Sequence, residues 1–304
     1  MNKPGWFDDL SVLGNLSPEE AAAKLRELNE NEAAKALETA QVSFGLGKEW
    51  WPFQDRAWQH TAHAFGYISS GLLGNKPLTI HHAGSISADN SLRNSRIKIT
   101  LDRLRVADYP GRGTHRILFD FYAQNQVGDK VEHLHFNATY RVRESEQAGV
   151  IGYPIFVGLN VGIEGVALKC FTVNVKNDAD EAFLGFLESD VFKEGLKLAT
   201  TVQPAIGLLS QTALGLTKAI AKRNRNVPVQ DFYMGLDFSN IPTRARLAEG
   251  SYLAVQIPES YQTAWNWDEW VYNPSNGQVA NKDNPTQLVP YNYLIFSVSR
   301  YEGS

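Results

Sequence analysis

The sequence predicts a mainly β protein with helical additions, an α+β chain built on an antiparallel β-sandwich. Three observations lead to this prediction. Apolar residues recur with a period of two in many short segments after residue 78, which is typical of strands that bury one face. A helical period of three to four is confined to the N-terminal part and to residues 201–226. Because the strands follow one another without alternating helices, their order favours a sandwich over a parallel βαβ sheet.

Residues 1–75 are predicted to form an N-terminal helical and aromatic-rich segment that packs on the core. A serine–proline–glutamate–glutamate run begins at Ser17 and has the pattern of a capping box with proline in the first turn, so a helix is expected to begin there. Residues 44–75 are rich in aromatic residues and glycine and connect this helix to the strands. A short helix is predicted inside the connector, over residues 55–67.

Residues 76–304 are predicted to form the β-sandwich domain, with a helical insertion at about 180–226. The hairpin signal is strongest around a Val-Gly-Asp-Lys turn that begins at Val127, between two alternating segments. The strand-like segments before the insertion are PLTIHHAGSIS, RIKITLDRLRV, HRILFDFYAQN, KVEHLHFNATYRVR, YPIFVGLNVGI and GVALKCFTVNV. Those after it are DFYMGLDF, SYLAVQIP, EWVYN and YNYLIFSVSRY.

Long alternating strands joined by aspartate-containing loops over residues 95–176 weakly resemble, in pattern, the C2-type β-sandwiches. This resemblance implies a sandwich fold and an ability to bind membranes or partner proteins. The calcium-binding members of that family carry clustered aspartates at their loop tips. The nearest aspartates in this sequence, which lack the full spacing, are Asp102, Asp108, Asp178 and Asp180.

Composition narrows the classes of function. The chain has 304 residues, a formal net charge of −4 and a pI of about 6.0, which argues against nucleic-acid binding. Its single cysteine, Cys170, cannot form an internal disulfide and is predicted to be a packed residue. Asp8 and Asp9 interrupt the place where a signal peptide would need an apolar run, and no segment is apolar enough to span a membrane. The predicted location is therefore the cytoplasm.

The segment 201–226 is the predicted interaction element. Its apolar positions recur at steps of three and four on one face, and the residues proposed there to bind a partner or a membrane are Ile206, Leu209, Leu216 and Ile220. A cationic edge accompanies them, through Lys218, Lys222, Arg223 and Arg225. Two interpretations remain open, since such a helix either packs on its own sheet or docks on a protein or an anionic membrane surface. The predicted function is non-catalytic binding, with a protein partner or self-association and with peripheral membrane contact.

A metal-dependent enzyme is the first alternative, because all seven histidines lie between residues 60 and 135. His133 and His135 are two residues apart and would point the same way from a strand, and His115 is the candidate third ligand. The competing interpretation places His133 and His135 on the solvated face of a half-buried strand. Because no HExxH or CxxC spacing occurs, no cofactor is predicted.

A carbohydrate-binding module is the second alternative. Trp265, Trp267 and Trp270 cluster in the run WNWDEW, and exposed indole rings can stack on sugars or anchor a partner. The competing interpretation is that these rings cover one end of the sandwich. No nucleophile, base and orienting group can be named together from the sequence, so no catalytic residue is predicted.

Overall fold

The structure is a computed structural model. It describes residues 6–44, 56–70, 76–143, 147–148, 150–180, 184–185, 195–199, 203–241 and 243–303. Parts of the predicted connector and of the predicted insertion therefore lie outside the described residues.

Three long helices belong to the described chain, namely α1 (Pro18–Glu27), α2 (Asn31–Phe44) and α3 (Pro204–Ala221). The predicted capping box is confirmed, because the Ser17 side chain accepts the Glu20 N–H and the Glu20 carboxylate accepts the Ser17 N–H. Asn29, at φ 63°, lies in the left-handed region between α1 and α2, and asparagine tolerates that conformation well. None of the described helices is long and apolar enough to cross a membrane.

In the part of the chain that the structure describes, sixteen strands form three sheets. They are β1 (Ala62–Ser69), β2 (Leu78–Thr79), β3 (His81–His82), β4 (Arg96–Arg105), β5 (Thr114–Val127), β6 (Lys130–Arg143), β7 (Gln147–Ala148), β8 (Tyr153–Asn160), β9 (Gly165–Val175), β10 (Leu196–Lys197), β11 (Val227–Asp237), β12 (Ala245–Arg246), β13 (Gly250–Ile257), β14 (Trp270–Asn273), β15 (Gln278–Asn281) and β16 (Tyr293–Arg300). The large sheet has the order β10-β8-β4-β16-β13-β1-β3, with β7 also paired to β4. The second sheet has the order β12-β11-β9-β5-β6, and the third has the order β15-β14-β2.

The main core lies between the eight-stranded and the five-stranded sheets. Alternate residues of their facing strands are buried there, including Phe119, Phe121, Phe156 and Phe296. Cys170 is buried in the same layer, as its place in an alternating strand predicts. The predicted class, a mainly β chain with a sandwich-like pair of sheets and added helices, is confirmed.

The eight-stranded and the five-stranded sheets also have outer faces, and other elements cover part of each. The small three-stranded sheet packs on the large sheet and encloses a second core that contains Trp267, Trp270 and Ile80. Residues 6–12 and α3 cover the five-stranded sheet and enclose a third core around Phe7 and Phe171. The molecule therefore has more buried sheet surface than a two-layer sandwich with solvated outer faces.

The helix predicted over residues 55–67 is wrong. A short 3-10 turn covers Ala57–Gln59, and β1 then pairs with β13 over eight residues as an internal strand of the large sheet. Ala64 and Ile68 belong to the second core, whereas Phe65 and Tyr67 belong to the main core. Because both faces of β1 are covered, the polar–apolar alternation that reveals a half-buried strand is missing from its sequence.

Candidate functional site

Helix α3 lies along the outer face of the five-stranded sheet, over β5, β6 and β9. Among the four apolar residues proposed for binding, Ile206 and Ile220 are buried and Leu216 is half-buried. Leu209 is 49% exposed. The buried stripe is thus rotated from the one that the apolar residues alone predict, and two polar residues complete it.

Those two polar residues, Ser210 and Thr217, join the helix to the strands beneath it. Ser210 Oγ donates to the carbonyl oxygen of His133 at 3.0 Å and accepts the backbone N–H of His135 at 2.6 Å. The Ser210 hydroxyl therefore satisfies edge groups of β6 that would otherwise be buried without a partner. Thr217 Oγ1 donates to Asp120 Oδ2 at 3.1 Å.

Asp120 is the centre of this polar network and is fully buried. Its carboxylate accepts hydrogen bonds from His135 Nδ1 at 2.7 Å, from Asn137 Nδ2 at 3.2 Å and from Thr217 Oγ1. The strand register produces this cluster, because Asp120 is opposite Asn137 and Tyr122 is opposite His135 in the β5–β6 hairpin. Burial raises the pKa of Asp120, although the bond with His135 opposes the shift.

The Asp120–His135 pair has the geometry that orients an imidazole in hydrolases, with the carboxylate holding Nδ1 and leaving Nε2 as the second ring nitrogen. Trp6 stacks over the His135 ring at 5.8 Å between centroids, and Phe7 meets its edge at 6.1 Å. The Trp6 and Phe7 rings cover the side of the His135 imidazole that a substrate would have to approach. The expectation that this face of β6 is solvated is wrong for His135, which the N-terminal segment and α3 cover.

The three candidate metal ligands do not converge. His133 Nδ1 is hydrogen-bonded to Tyr122 Oη at 2.5 Å, and His135 is bonded to Asp120. His115 lies on the opposite face of the sheet, where its Nδ1 is 3.4 Å from Asn174 Oδ1. Among the residues that the structure describes, no group of three or more histidine, cysteine or carboxylate side chains could hold a metal ion.

The predicted cationic edge of α3 binds the N-terminal segment. Lys218 and Lys222 approach the two carboxylate oxygens of Asp9 at 2.9 and 2.7 Å. Hydrogen bonds from these two lysines lower the pKa of Asp9 to about 2. The lysines thus fasten residues 6–12 over the sheet, which reduces the charge that they offer to an anionic surface.

The two arginines that follow α3 also have internal contacts. Arg223 pairs with Asp180, which is fully buried. Arg225 has φ 67°, and its backbone N–H donates to Glu27 Oε2 at 2.7 Å. Its Nη1 lies 3.8 Å from Asp178 Oδ2. These contacts connect the end of the helix to the 178–180 turn and to α1.

The tryptophan cluster packs within the second core. Trp267 is 4% exposed and Trp270 is buried, while Trp265 is half-buried and stacks on Trp270 at 5.7 Å with an interplanar angle of 6°. Glycine is required beside Trp267, because a Cβ on Gly66 would lie 2.9 Å from the Trp267 ring. The rings therefore present little face to a sugar.

The aspartates behind the C2-type resemblance are distributed along the chain and do not form one cluster. Asp102 is bonded to Thr100, Asp108 to Arg56, Asp178 to Arg116, and Asp180 to Asn226.

An open cleft lies at the end of the five-stranded sheet where β9 begins and β11 ends. Its volume is about 750 Å³. The wall on β11 carries Tyr233, which is 56% exposed, and the β9 side carries Ile163, which is 70% exposed. Small residues, Ala167 and Gly235, line it between these side chains.

The charges around the cleft are mixed. Arg244 is 3.2 Å from Asp237 at one end, and the Arg93 guanidinium stacks over the Phe238 ring at 4.1 Å. Gln124 adds an exposed amide. The cleft therefore has a mixed lining, in which polar atoms contribute at least as much surface as apolar ones.

A cationic–aromatic cluster extends from this cleft beneath the N-terminal segment. Lys169 Nζ lies 4.7 Å from the Trp6 ring, 5.6 Å from Tyr122 and 5.9 Å from Tyr233. Asp231 lies nearby, and burial raises its pKa to about 6 while a hydrogen bond from Trp6 and the charge of Lys169 oppose that shift. Alternation places Asp231, Tyr233 and Gly235 of DFYMGLDF on one strand face, which is the signal that sequence reasoning missed.

His115 is expected to make the protein less stable in mild acid. Burial, with a smaller contribution from the charge of Lys176, lowers its pKa to about 4, whereas an unfolded histidine has a pKa of about 6.5. The unfolded chain therefore binds the proton more tightly, and the stability that neutral His115 contributes is lost as the pH falls from about 6.5 to about 4. Replacing His115 with glutamine should flatten this part of the stability–pH curve by about 3 kcal/mol.

The measurement is urea unfolding at several pH values. His81→Gln is the matched control, because His81 is exposed on β3. Asp231 acts in the opposite direction, since its raised pKa favours the protonated folded state, but its contribution cancels between wild type and variant. If the free energy of unfolding of His115→Gln falls with decreasing pH as steeply as that of the wild type, the prediction is contradicted.

The outer face of the five-stranded sheet thus carries two features, a buried carboxylate–imidazole pair that joins the sheet to α3 and an open cleft beside it. Of these two, only the cleft offers space for a ligand. Comparisons with protein-family models, with curated proteins and with solved structures found no match for this chain.

Proposed function

We propose that this protein is a binding protein whose ligand occupies the cleft between the start of β9 and the end of β11. The observation that carries the proposal is a recess of about 750 Å³ with an exposed tyrosine and an exposed isoleucine in its walls. Ligand sites usually occupy recesses of about 300–1,000 Å³, and the volume of this cleft lies in that range.

Binding is favoured over catalysis because of the polar residues around the recess. Asp237 accepts from Ser239 and Arg244, so its carboxylate is engaged. The described lining residues include no histidine or cysteine that would pair as a base or a nucleophile with these groups. The buried Asp120–His135 pair stays under Trp6 and Phe7 and supports the attachment of α3.

The test uses 1-anilinonaphthalene-8-sulfonate, an aromatic anion that suits a tyrosine- and arginine-lined recess. Ala167 lines the cleft and is half-buried, so Ala167→Trp fills it without removing a hydrogen bond. We expect saturable dye fluorescence with wild type and at least about a tenfold loss of affinity, about 1.4 kcal/mol, in this variant. Ala219→Trp, at an exposed position of α3, is the control and should bind normally. Equal dye binding by Ala167→Trp and wild type would refute the cleft as the site.

The exposed side of α3 supports a second candidate, docking of a protein partner or a second copy of the chain. Leu208 is 68% exposed beside Leu209, and adjacent exposed leucines are typical of interaction surfaces. A membrane surface is less favoured, because Lys218 and Lys222 are paired with Asp9. Leu208→Lys should abolish any concentration-dependent association seen by sedimentation, and liposome co-sedimentation tests the membrane alternative. Association that persists in Leu208→Lys would remove this candidate.

A further inference from the structure

Strand β11 has an open edge where it borders the cleft. On one side it pairs with β9 along its length, from Val227 to Asp237. On the other side β12 pairs with Leu236 and Asp237 alone. Within the described residues, no strand covers the edge between Asp231 and Gly235.

The direction of the backbone groups on this edge follows from a hydrogen bond beside β12. The carbonyl oxygen of Asp237 accepts from Leu247 N at 2.9 Å, on the side of β11 where β12 pairs. This carbonyl therefore points away from β9. Since successive residues of a strand alternate in direction, the N–H and C=O groups of Asp231, Tyr233 and Gly235 also point away from β9.

The register across the sheet gives the same result independently. His135 N donates to Ser210, outward from β6, so Tyr122, its cross-strand partner, directs its backbone groups toward β9. Cys170 then directs its groups toward β11, where it faces Phe232. Phe232 must point to β9, which leaves Tyr233 pointing to the cleft.

None of the outward backbone groups of Asp231, Tyr233 and Gly235 has a partner elsewhere in the described residues. Unpaired N–H and C=O groups in a row are a template for another strand, and proteins usually block such edges with proline, bulges or charge. The stretch from Asp231 to Gly235 contains no proline, and its pairing with β9 is regular. An edge of this length spans about 17 Å, the length of a short strand.

Resting on the proposed function, we infer that the cleft binds an extended peptide of a partner protein, which adds as a strand to the open edge of β11. A second copy of the chain fits less well, because the edge lies inside a cleft that Arg244 and Phe65 of the large sheet also line. Two recessed edges cannot approach to hydrogen-bonding distance, whereas a single extended chain can enter.

Alternation also defines the side chains that such a peptide carries. Those directed between the sheets meet Phe65, Phe232 and Met234, which are apolar. Those directed outward meet the exposed Tyr233 ring and Asp231. The peptide class is therefore a segment with apolar residues at every second position and polar residues between them.

The test begins with a library of random linear peptides displayed on phage and selected on the whole protein. Gly235→Pro is the diagnostic variant, because proline removes an outward N–H while β9 pairing is kept. A Cβ at Gly235 would meet first the Tyr233 hydroxyl at 3.2 Å, on a mobile side chain. We expect alternating apolar residues in the selected peptides and at least about a tenfold weaker binding to Gly235→Pro. Gly207→Ala, at an exposed position of α3 with open space around it, is the control.

N-methylation of each peptide bond in turn supplies the second readout. Strand addition requires binding to fall at every second position, because only alternate amides face the edge. Uniform tolerance of N-methylation, equal binding to Gly235→Pro, or failure to select any peptide would overturn the inference. Dye binding at the cleft separates the two proposals. If the dye binds but no peptide does, the strand-addition inference fails and the proposed ligand site stands. If neither the dye nor a peptide binds, both proposals fail.

Discussion

Replacing Asp120 with alanine is expected to lower the free energy of unfolding by about 3–5 kcal/mol, which is the usual effect of breaking a buried charge network. The carboxylate is fully buried and accepts bonds from His135, Asn137 and Thr217. Alanine leaves these donors without their acceptor inside the protein, and each unsatisfied donor costs about 1–3 kcal/mol. Guanidinium unfolding followed by tryptophan fluorescence measures the loss.

Two further variants show whether the network itself is responsible. Asp120→Asn keeps the shape and one acceptor oxygen, so the expected loss is smaller than for alanine. Asp129→Ala, at the exposed turn of the β5–β6 hairpin, should change stability by less than about 0.5 kcal/mol. The double variant Asp120→Ala, Thr217→Val should lose less unfolding free energy than the sum of the losses of the two single variants, because the two side chains share a hydrogen bond. A loss below about 1 kcal/mol for Asp120→Ala would show that the network contributes little.

Replacing Trp267 with alanine is expected to destabilise the protein by about 3–5 kcal/mol, as for other fully buried aromatic residues. The ring fills the second core, where it contacts Gly66 and stacks edge-on against Trp265 at 5.6 Å. Removing it leaves a cavity that the rigid sheets on either side cannot close. The midpoint of urea unfolding measures the effect.

This result also decides between packing and sugar binding for the tryptophan cluster. Tyr261→Ala changes an exposed aromatic residue of the preceding turn and should cost less than about 0.5 kcal/mol. If Trp267→Ala stays as stable as wild type and instead loses binding to glycans on an array, the carbohydrate-binding alternative gains support and the packing account fails.

Local sequence patterns were sufficient to predict an element wherever a short motif specifies the local structure without help from the rest of the fold. The serine–proline–glutamate pattern at Ser17 places the first helix, because a capping box satisfies its own backbone groups without help from the rest of the fold. Strong alternation places the long β5–β6 hairpin, because each strand has distinct faces. The strand β1 was not predicted, because both of its faces are covered and its residues therefore do not alternate in polarity.

The candidate sites depended on information that the sequence does not contain. A histidine pair on a polar strand face has the same pattern whether the face is solvated or covered, and only the packing of Trp6 and α3 makes His135 a buried partner of Asp120. The position of the buried stripe on α3 also depends on contacts that form only in the folded chain. Ser210 is buried because the edge of β6 beneath it needs hydrogen-bond partners, and Thr217 is buried because it bonds the buried Asp120 carboxylate.

By itself, then, the sequence determined the first helix, the β5–β6 hairpin and the mainly β class of this protein, because period and capping are local properties of the chain. The tertiary structure alone decided which faces are covered, which charges are paired and where a cleft remains open. These depend on contacts between residues far apart in sequence, such as Asp9 with Lys222. The open edge of β11 is such a property, since a strand becomes an edge only through the strands that do not pair with it.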